Sequence, residues 1–448
     1  MDTPICDFVR NYATVGAMRL HMPGHKGVSY LGMEHLDITE IAGADSLYEA
    51  DGIIARSEAN ASALFGCRTI YSTEGSSQCI RAMLYLAMIH AKGQGRKPLI
   101  AAGRNAHKTF LTAAALLDLD VLWLSPEDQQ GYLSCDLTPQ ELERYLDSSP
   151  EKPTAVYLTS PDYLGHLADI RRISEVCHRH GVLLLVDNAH GAYLRFLPES
   201  CHPMDLGADI CCDSAHKTLP VLTGGAYLHL SHSLEAAVGE QAKNAMMIFG
   251  STSPSYLILQ SLDNANRYLE KYADHLEAFL PKIAALKEKL TAHGYTLSDQ
   301  EPLKITLAAR EFGYMGHQLA DILRAAGIEP EFADRDHLVL MLTPQLSEDD
   351  LKEIGEVLCR IPRLLPVEET APAYAPARQV LSIREAMFSP SEVLPVELCA
   401  GRVLAVPTVG CPPAVPILVC GELIDDHAIA TFRYYGIETC CVIKSGGM

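Results

Sequence analysis

Two short runs hold residue types that can do chemistry together. Val186-Asp187-Asn188-Ala189-His190-Gly191 closes an apolar stretch with a carboxylate. Ser214-Ala215-His216-Lys217-Thr218 sets a lysine just past the next apolar stretch, Ala208-Asp209-Ile210-Cys211-Cys212. A lysine amine can carry an aldehyde cofactor as an imine and hand it to an incoming amino group, while an acid can keep a pyridine nitrogen protonated so that the ring withdraws electrons. Lys217 and Asp187 together therefore point to pyridoxal 5'-phosphate (PLP) as cofactor. Asp187 ends the run Val182-Leu183-Leu184-Leu185-Val186, where a buried carboxylate needs a partner, and a pyridinium N–H is one. His190, three residues on, is placed to orient that carboxylate, although an ordinary loop histidine gives the same pattern. A lysine just beyond a strand faces the carboxyl edge of an open α/β sheet, where such folds bind ligands; taken alone, most lysines are simply solvated.

Further residues fit around this pair. Glu74-Gly75-Ser76-Ser77 precedes an amphipathic stretch over 78–88. A glycine and small hydroxyls at a helix start offer N–H groups, the positive end of the dipole and side-chain donors to a phosphate dianion, and they also make an ordinary N-cap. His107, in Arg104-Asn105-Ala106-His107-Lys108-Thr109, opens a helix after a strand expected over 98–102. It is placed to stack on the cofactor ring, or is only a helix-start histidine. Ser160, in Leu158-Thr159-Ser160-Pro161, falls at another strand end and is a candidate contact to the ring's O3′ region or a turn former. Ser251-Thr252-Ser253-Pro254 offers hydroxyls to a phosphate across a dimer interface, or caps a helix.

Elements must hold these groups in place. The 448 residues allow two or three domains, and 48% apolar content permits a large core. Over 46–255, short apolar runs alternate with amphipathic stretches, which predicts βαβ units and a mostly parallel sheet. Strands are expected over 98–102, 121–124, 155–158, 182–186, 210–212 and 226–230. Helices are expected over 77–90 and 170–180, the second stopped by Gly181 at its C′ position. Residues 1–45 read as an N-terminal arm too irregular for a long element. Residues 46–256 form the expected PLP-binding large domain. A long charged amphipathic stretch over 257–293 leads to a small α/β unit, with a strand at 303–307, a helix at 316–326 and a strand at 337–342, closing a domain at 361. Pro362, Pro366, Pro372 and Pro376 mark 362–378 as a linker, and 379–448 form a C-terminal module. No internal repeat is visible.

The start, Met1-Asp2-Thr3-Pro4-Ile5-Cys6-Asp7, lacks a basic segment followed by an apolar run, and no stretch of about eighteen apolar residues is free of charge. A cytoplasmic protein with no membrane partner is expected. The 14 cysteines sit inside apolar runs such as Cys211-Cys212 and Cys440-Cys441, without a CxxC pair, so they read as reduced core thiols and no metal is expected. A net charge of −20 argues against nucleic acid and is compatible with a cationic substrate or with mere solubility.

Together these residues resemble the fold-type I (aspartate aminotransferase-like) PLP superfamily, and more narrowly the ornithine/lysine/arginine decarboxylase family of bacteria. The narrower resemblance rests on His21-Met22-Pro23-Gly24-His25-Lys26-Gly27, on Gly66 in Ala63-Leu64-Phe65-Gly66, on Ser214-Ala215-His216-Lys217, and on Cys411-Pro412-Pro413-Ala414-Val415-Pro416 leading to Gly421-Glu422. It covers nearly the whole chain. It implies an α/β fold with a PLP-binding large domain, a small α/β domain and a C-terminal decarboxylase-type module. Lys217 would be the Schiff-base lysine, Asp187 the pyridine partner supported by His190, and His107 the stacking residue. Ser76, Ser77, Ser214 and His216 would contact the phosphate, beside Gly75. Glu422 is the candidate for the substrate's distal cation, backed by Asp425 and Asp426, because an ammonium or guanidinium needs a carboxylate.

Three departures stand out. The wing domain that precedes this region in larger members has no counterpart, so their higher-order rings are not expected. Asn188 replaces an acid often seen after the aspartate, and Glu74-Gly75-Ser76-Ser77 differs from the commoner Asn-Gly-Thr-Ser. The implied reaction is decarboxylation of arginine, lysine or ornithine to a polyamine-type amine, with arginine or lysine favoured. A homodimer with its active site at the interface is expected. Another fold-type I enzyme, an aminotransferase or lyase, would share every cofactor residue, and an inactive regulatory relative is the reading from outside enzymology.

Overall fold

The computed structural model describes residues 1–127, 129, 131–407 and 413–445. Its main sheet has seven strands: β1 (Arg68–Ser72), β2 (Leu99–Gly103), β3 (Asp120–Leu124), β4 (Ala155–Thr159), β5 (Leu183–Asp187), β6 (Ile210–Asp213) and β7 (Ala226–Leu230), in the order β1-β7-β6-β5-β4-β2-β3. β2 pairs parallel with β3 and β5 parallel with β6, while β7 runs antiparallel to β6 and β1. This is the mostly parallel α/β sheet expected, and all six expected strands of this region are present to within a residue or two. Every residue of β2, β6 and β7 is buried, as continuous apolar strands covered on both faces must be. β1 was not anticipated: Arg68-Thr69-Ile70-Tyr71-Ser72 is mixed in polarity and gains its place by pairing with β7.

By compactness the chain divides into two units. The first comprises Met1–Pro98, Thr154–Val156 and Ile170–Glu277. Its helix Gly75–Gly93 buries Cys79, Ile80, Met83, Leu84 and Leu86, the recurrence of an amphipathic helix. Helix Ile170–Arg179 ends as anticipated, with Gly181 at φ +64°, the left-handed conformation that glycine adopts without a Cβ penalty. The expectation that residues 1–45 are too irregular for a long element fails over Pro4–Val15, which is a helix with Pro4 in its first turn and Gly16 ending it at φ +68°. Ile5 and Val9 are wholly buried. The Ile5 and Cys6 N–H groups donate to Asp263 Oδ2 at 3.0 and 2.9 Å, so a carboxylate sits at the positive end of this helix. The stretch expected over 257–293 is likewise two helices, Tyr256–Leu269 and Tyr272–His293.

The second unit comprises Leu99–Pro153, Tyr157–Asp169 and Ala278–Met448. It holds a three-stranded sheet of β8 (Lys304–Ala308), β9 (Phe332–Ala333) and β10 (His337–Met341), in the order β8-β10-β9, with helix Gly316–Ala325 in the same segment. Further on, β11 (Ser391–Pro395) pairs antiparallel with β12 (Thr439–Ile443). Val396, Leu404, Ile424, Phe432 and Val442 form a small core with them. Helix Pro139–Ser148 starts on a reciprocal cap in which Thr138 Oγ1 accepts the Glu141 N–H and Glu141 accepts the Thr138 N–H. The 13 described cysteines are all free thiols. Burial pushes the Cys67 and Cys420 thiols up to about 12. No helix among the described residues is long and apolar enough to cross a membrane.

Candidate active site

In the first unit, the backbone ladder between β5 and β6 runs Leu185 to Ile210, Val186 to Cys211 and Asp187 to Cys212. Parallel strands end together at their carboxyl edge, so the segments after Asp187 and after Asp213 leave the sheet side by side. Past β6 the chain makes one helical turn, Ala215–Thr218. This turn carries Lys217, whose Nζ lies 2.9 Å from His190 Nε2. His190 is therefore placed on the lysine amine. Asp187 is 2% exposed, and its Oδ1 accepts the Ala189 N–H at 3.2 Å and the Cys212 thiol at 3.6 Å.

Ser214 Oγ donates to Ser76 Oγ at 2.8 Å, joining the lysine turn to the start of helix Gly75–Gly93. Glu74 at that helix's N-cap makes no capping bond with its side chain; its carboxylate accepts the Ser251 N–H instead. Gly75 has φ +72° with open space where a Cβ would project, and its N–H donates to Gly224 O at 2.7 Å. Gly224, at φ +99°, leaves only 2.9 Å between a built Cβ and the Thr73 carbonyl oxygen, so a side chain there would push the loop off the helix start. His216 folds back onto the same loop, its backbone N–H and Nδ1 both donating to Gly225 O at 3.2 and 3.0 Å. Thr252 is exposed beside Ser251.

These residues fit PLP. A primary amine and a buried carboxylate stand at adjacent strand ends, and the helix start beside Ser76, Ser77 and Ser214 is fronted by Gly75, with open space where its Cβ would project. Bound there, Lys217 would carry the aldehyde carbon, Asp187 would meet the pyridine nitrogen, and the helix start would hold the phosphate.

His107, Ser160 and Glu422 belong to the second unit. His107 is the N-cap of helix Lys108–Leu117; its Nδ1 accepts the Thr109 N–H at 3.1 Å, which fixes the ring's orientation. The Lys108 N–H donates to Ala414 O at 2.8 Å, so the late proline-rich element is bonded to the helix that His107 begins. Cys411 and Pro412 of that element lie outside the described residues. Ser160 is 3% exposed and its Oγ accepts the Ala168 N–H at 3.1 Å, the bond of a turn former. Glu422, expected at the substrate's distal cation, has a cation of the protein as its partner. Its Oε2 lies 2.7 Å from Arg104 Nη2 and accepts the Val419 N–H at 2.7 Å. The Arg104 guanidinium stands 5.1 Å from the Trp123 ring centre, and both charged side chains are almost fully buried.

Sequence reasoning passed over Arg104, Asp213, His202 and His229, and noted Asn188 only as a departure from the resembled family. Asp213 Oδ2 accepts from His202 and His229 Nε2, both at 3.0 Å, and its Oδ1 accepts from Asn188 Nδ2 at 2.7 Å. The available signal was an acid ending the apolar run Ile210-Cys211-Cys212, which implies a buried carboxylate in need of donors. Among the described residues His202, Cys211 and Asp213 converge closely enough to hold a metal ion, as do Asp334, Asp336 and His337.

The model of the family described as Orn/Lys/Arg decarboxylase, major domain, matches residues 3–306. An arginine decarboxylase of Bacillus subtilis is 27% identical, the match covering 96% of this chain and 92% of that one. An arginine decarboxylase of Halalkalibacterium halodurans is 28% identical over 96% and 93%. Among solved structures, a lysine decarboxylase of Francisella novicida superposes with a TM-score of 0.80 at 16% identity, covering 99% of this chain and 81% of that one. A serine palmitoyltransferase of Sphingomonas wittichii superposes at 0.56 and 15% identity over 79% and 82%. Both structures share the α/β architecture of the main sheet. A family match over most of the chain coincides with a lysine, a carboxylate and a glycine-fronted helix start at one sheet edge, and the chain belongs to the Orn/Lys/Arg decarboxylase family.

Proposed function

We infer that this protein removes the α-carboxylate of a basic amino acid as CO2 with the help of PLP, adds a proton at Cα and releases the corresponding amine. The observation that carries the reading is Lys217 Nζ, 2.9 Å from His190 Nε2, beside the buried Asp187 at the end of the neighbouring strand. PLP supplies the electron sink for the pair left when the bond from Cα to the carboxylate breaks. The protein's own part is placement and proton handling. His190 is positioned to exchange a proton with Lys217 Nζ, keeping the amine in the form that attacks or the form that donates. Asp187, out of water, holds a proton on the pyridine nitrogen. With PLP bound, Ser76, Ser77, Ser214 and His216 with Gly75 would hold the phosphate, and His107 would supply a flat face for the ring. Ser160 contributes at the O3′ side.

Substrate choice among arginine, lysine and ornithine lies at the distal cation. Arginine or lysine is favoured, in keeping with the named relatives. Glu422 serves that cation only if the substrate's ammonium or guanidinium takes the place of Arg104 or shares its carboxylate. The exposed Thr252 makes best sense in a homodimer, reaching a phosphate across the interface, and a cytoplasmic setting in polyamine formation suits the product. Residues 46–256 serve as the PLP-binding domain, 257–361 as the small domain, 379–448 as the C-terminal module behind the 362–378 linker, and 1–45 as an interface segment.

The test is amine formation by PLP-loaded protein given arginine, lysine and ornithine separately, with Lys217→Ala as control. Agmatine, cadaverine or putrescine should form with one preferred substrate, and Lys217→Ala should lose at least about a thousandfold in rate. Absence of every amine from a PLP-binding protein would transfer the reading to transamination or lyase chemistry.

A further inference from the structure

Asp213 has an environment that stability alone does not call for. It is wholly buried, and its partners are Asn188, His202, His229 and the Cys211 thiol. Neither a lysine nor an arginine is among them. The Met204 N–H donates to His202 Nδ1 at 3.4 Å, which leaves that ring's proton on Nε2, facing Asp213. Thr69 Oγ1 lies 2.9 Å from His229 Nδ1, burial holds His229 below the usual histidine range, and its Nε2 faces Asp213. Asp213 is a buried carboxylate held by two imidazoles, an amide and a thiol. Removing a carboxylate from water is costly even with partners, and an apolar residue would fill the end of β6 more cheaply.

Its position supplies the reason. Asp213 immediately precedes Ser214 and the turn that carries Lys217, and Asn188 immediately follows Asp187 and precedes His190. The paired register of β5 and β6 ends at Asp187 and Cys212. A last backbone bond runs from the Asn188 N–H to Cys212 O at 3.0 Å, and the 2.7 Å bond from Asn188 Nδ2 to Asp213 Oδ1 continues the ladder one residue further through side chains. The amide has one usable orientation, because its oxygen cannot face an anion. A Cβ at Gly191 would come within 2.0 Å of Asn188 Oδ1, so the turn carrying His190 closes tightly over this amide.

We propose that Asp213 is a positioning residue which, through Asn188, locks the Asp187–His190 segment to the Ser214–Lys217 segment and so sets His190 on the Lys217 amine. The proposal rests on the reading of Lys217, Asp187 and His190 as the cofactor site. It also accounts for Asn188, where the resembled family often has an acid: here the carboxylate stands on the partner strand, and the amide donates to it.

The discriminating experiment exchanges the two side chains in the full-length protein. Asn188→Asp alone sets two carboxylates against each other. The double variant Asn188→Asp with Asp213→Asn restores the bond with its direction reversed. The amide introduced at the end of β6 can donate to the carboxylate introduced after β5, while its oxygen still accepts from His202 and His229. PLP affinity is read from fluorescence titration, the lysine-bound cofactor from its visible absorption band, and folding of the cofactor-free protein from urea unfolding. Asn188→Asp should weaken PLP binding at least about tenfold and reduce the band, and the exchange should return affinity to within about threefold of the parent. Unchanged affinity in Asn188→Asp, or an exchanged protein that unfolds like the parent yet binds PLP no better than Asn188→Asp, overturns the positioning role. Lys217→Ala separates this from the underlying reading. If that variant keeps the band, the cofactor site itself is misassigned and the proposal falls with it.

Discussion

Asp213 in the first unit and Glu422 in the second are both carboxylates almost without contact with water, yet they are held in opposite ways. Asp213 faces two imidazoles, an amide and a thiol. Burial alone would raise its carboxyl, but the two histidines and their hydrogen bonds override burial and hold it well below the usual carboxylate range. Glu422 faces a full cation, Arg104, and its carboxyl still lies above the usual range, because burial outweighs the guanidinium, the Val419 N–H and the Arg104 hydrogen bond. The guanidinium and one backbone N–H therefore offset burial less at Glu422 than the two histidines do at Asp213, in line with the way desolvation offsets the attraction in buried ion pairs. Glu422 with Arg104 is a replaceable clamp within the second unit, whereas Asp213 is tied to a particular geometry.

The comparison breaks most readily at the clamp. Glu422→Ala leaves Arg104 charged in a dry site and should cost about 3–5 kcal/mol in urea unfolding. The double variant Arg104→Met with Glu422→Leu should recover most of that, because two apolar side chains need no partner. If the double variant is as unstable as the single one, the pair is not a simple clamp. A smaller loss, about 1–3 kcal/mol, is expected for His229→Ala, which takes one donor from Asp213 and leaves Asn188, His202 and the Cys211 thiol. A cost equal to that of Glu422→Ala would erase the distinction between the two sites.

The smallest effect, and the sharpest in sign, is in pH. Asp213 has a folded pKa below its unfolded value of about 3.9, so its contribution to stability is present above about pH 4 and is lost as pH falls toward the folded value. Glu422 has a folded pKa above its unfolded value of about 4.3, so its contribution is complete below about pH 4 and is lost as pH rises through the folded value. The stability difference between parent and Asp213→Asn should grow from acid to neutral pH, and that for Glu422→Gln should shrink. Unfolding curves between about pH 3 and pH 7 check both, and slopes of the same sign would contradict the account.

Most of the sheet was legible in the sequence because its inner strands are unbroken apolar runs, and Asp187 and Lys217 were legible because one ends such a run and the other follows just past one, with groups that call for a partner. β1 was not, since Arg68 and Ser72 hide a strand whose place is decided by β7. The helix Pro4–Val15 was missed because its clearest stabilising contact, Asp263, lies some 250 residues away in sequence. For the same reason Glu422 could be picked out as an acid with a task, while its partner Arg104, separated by 318 residues, could not. Pairings of that kind are fixed by tertiary packing, which local pattern does not carry.

The buried cysteines make the protein its own reporter of motion. A thiol reacts as its thiolate, and with Cys67 in the first unit and Cys420 in the second both raised to about 12, neither is ionised to any extent near neutral pH while its surroundings stay closed. A soluble thiol reagent therefore modifies each only during the intervals when that region opens, and the rate at each cysteine measures how often it does so. Followed with and without PLP, labelling at Cys67 and at Cys420 gives the local opening rate of each unit separately, in a chain that needs no added probe.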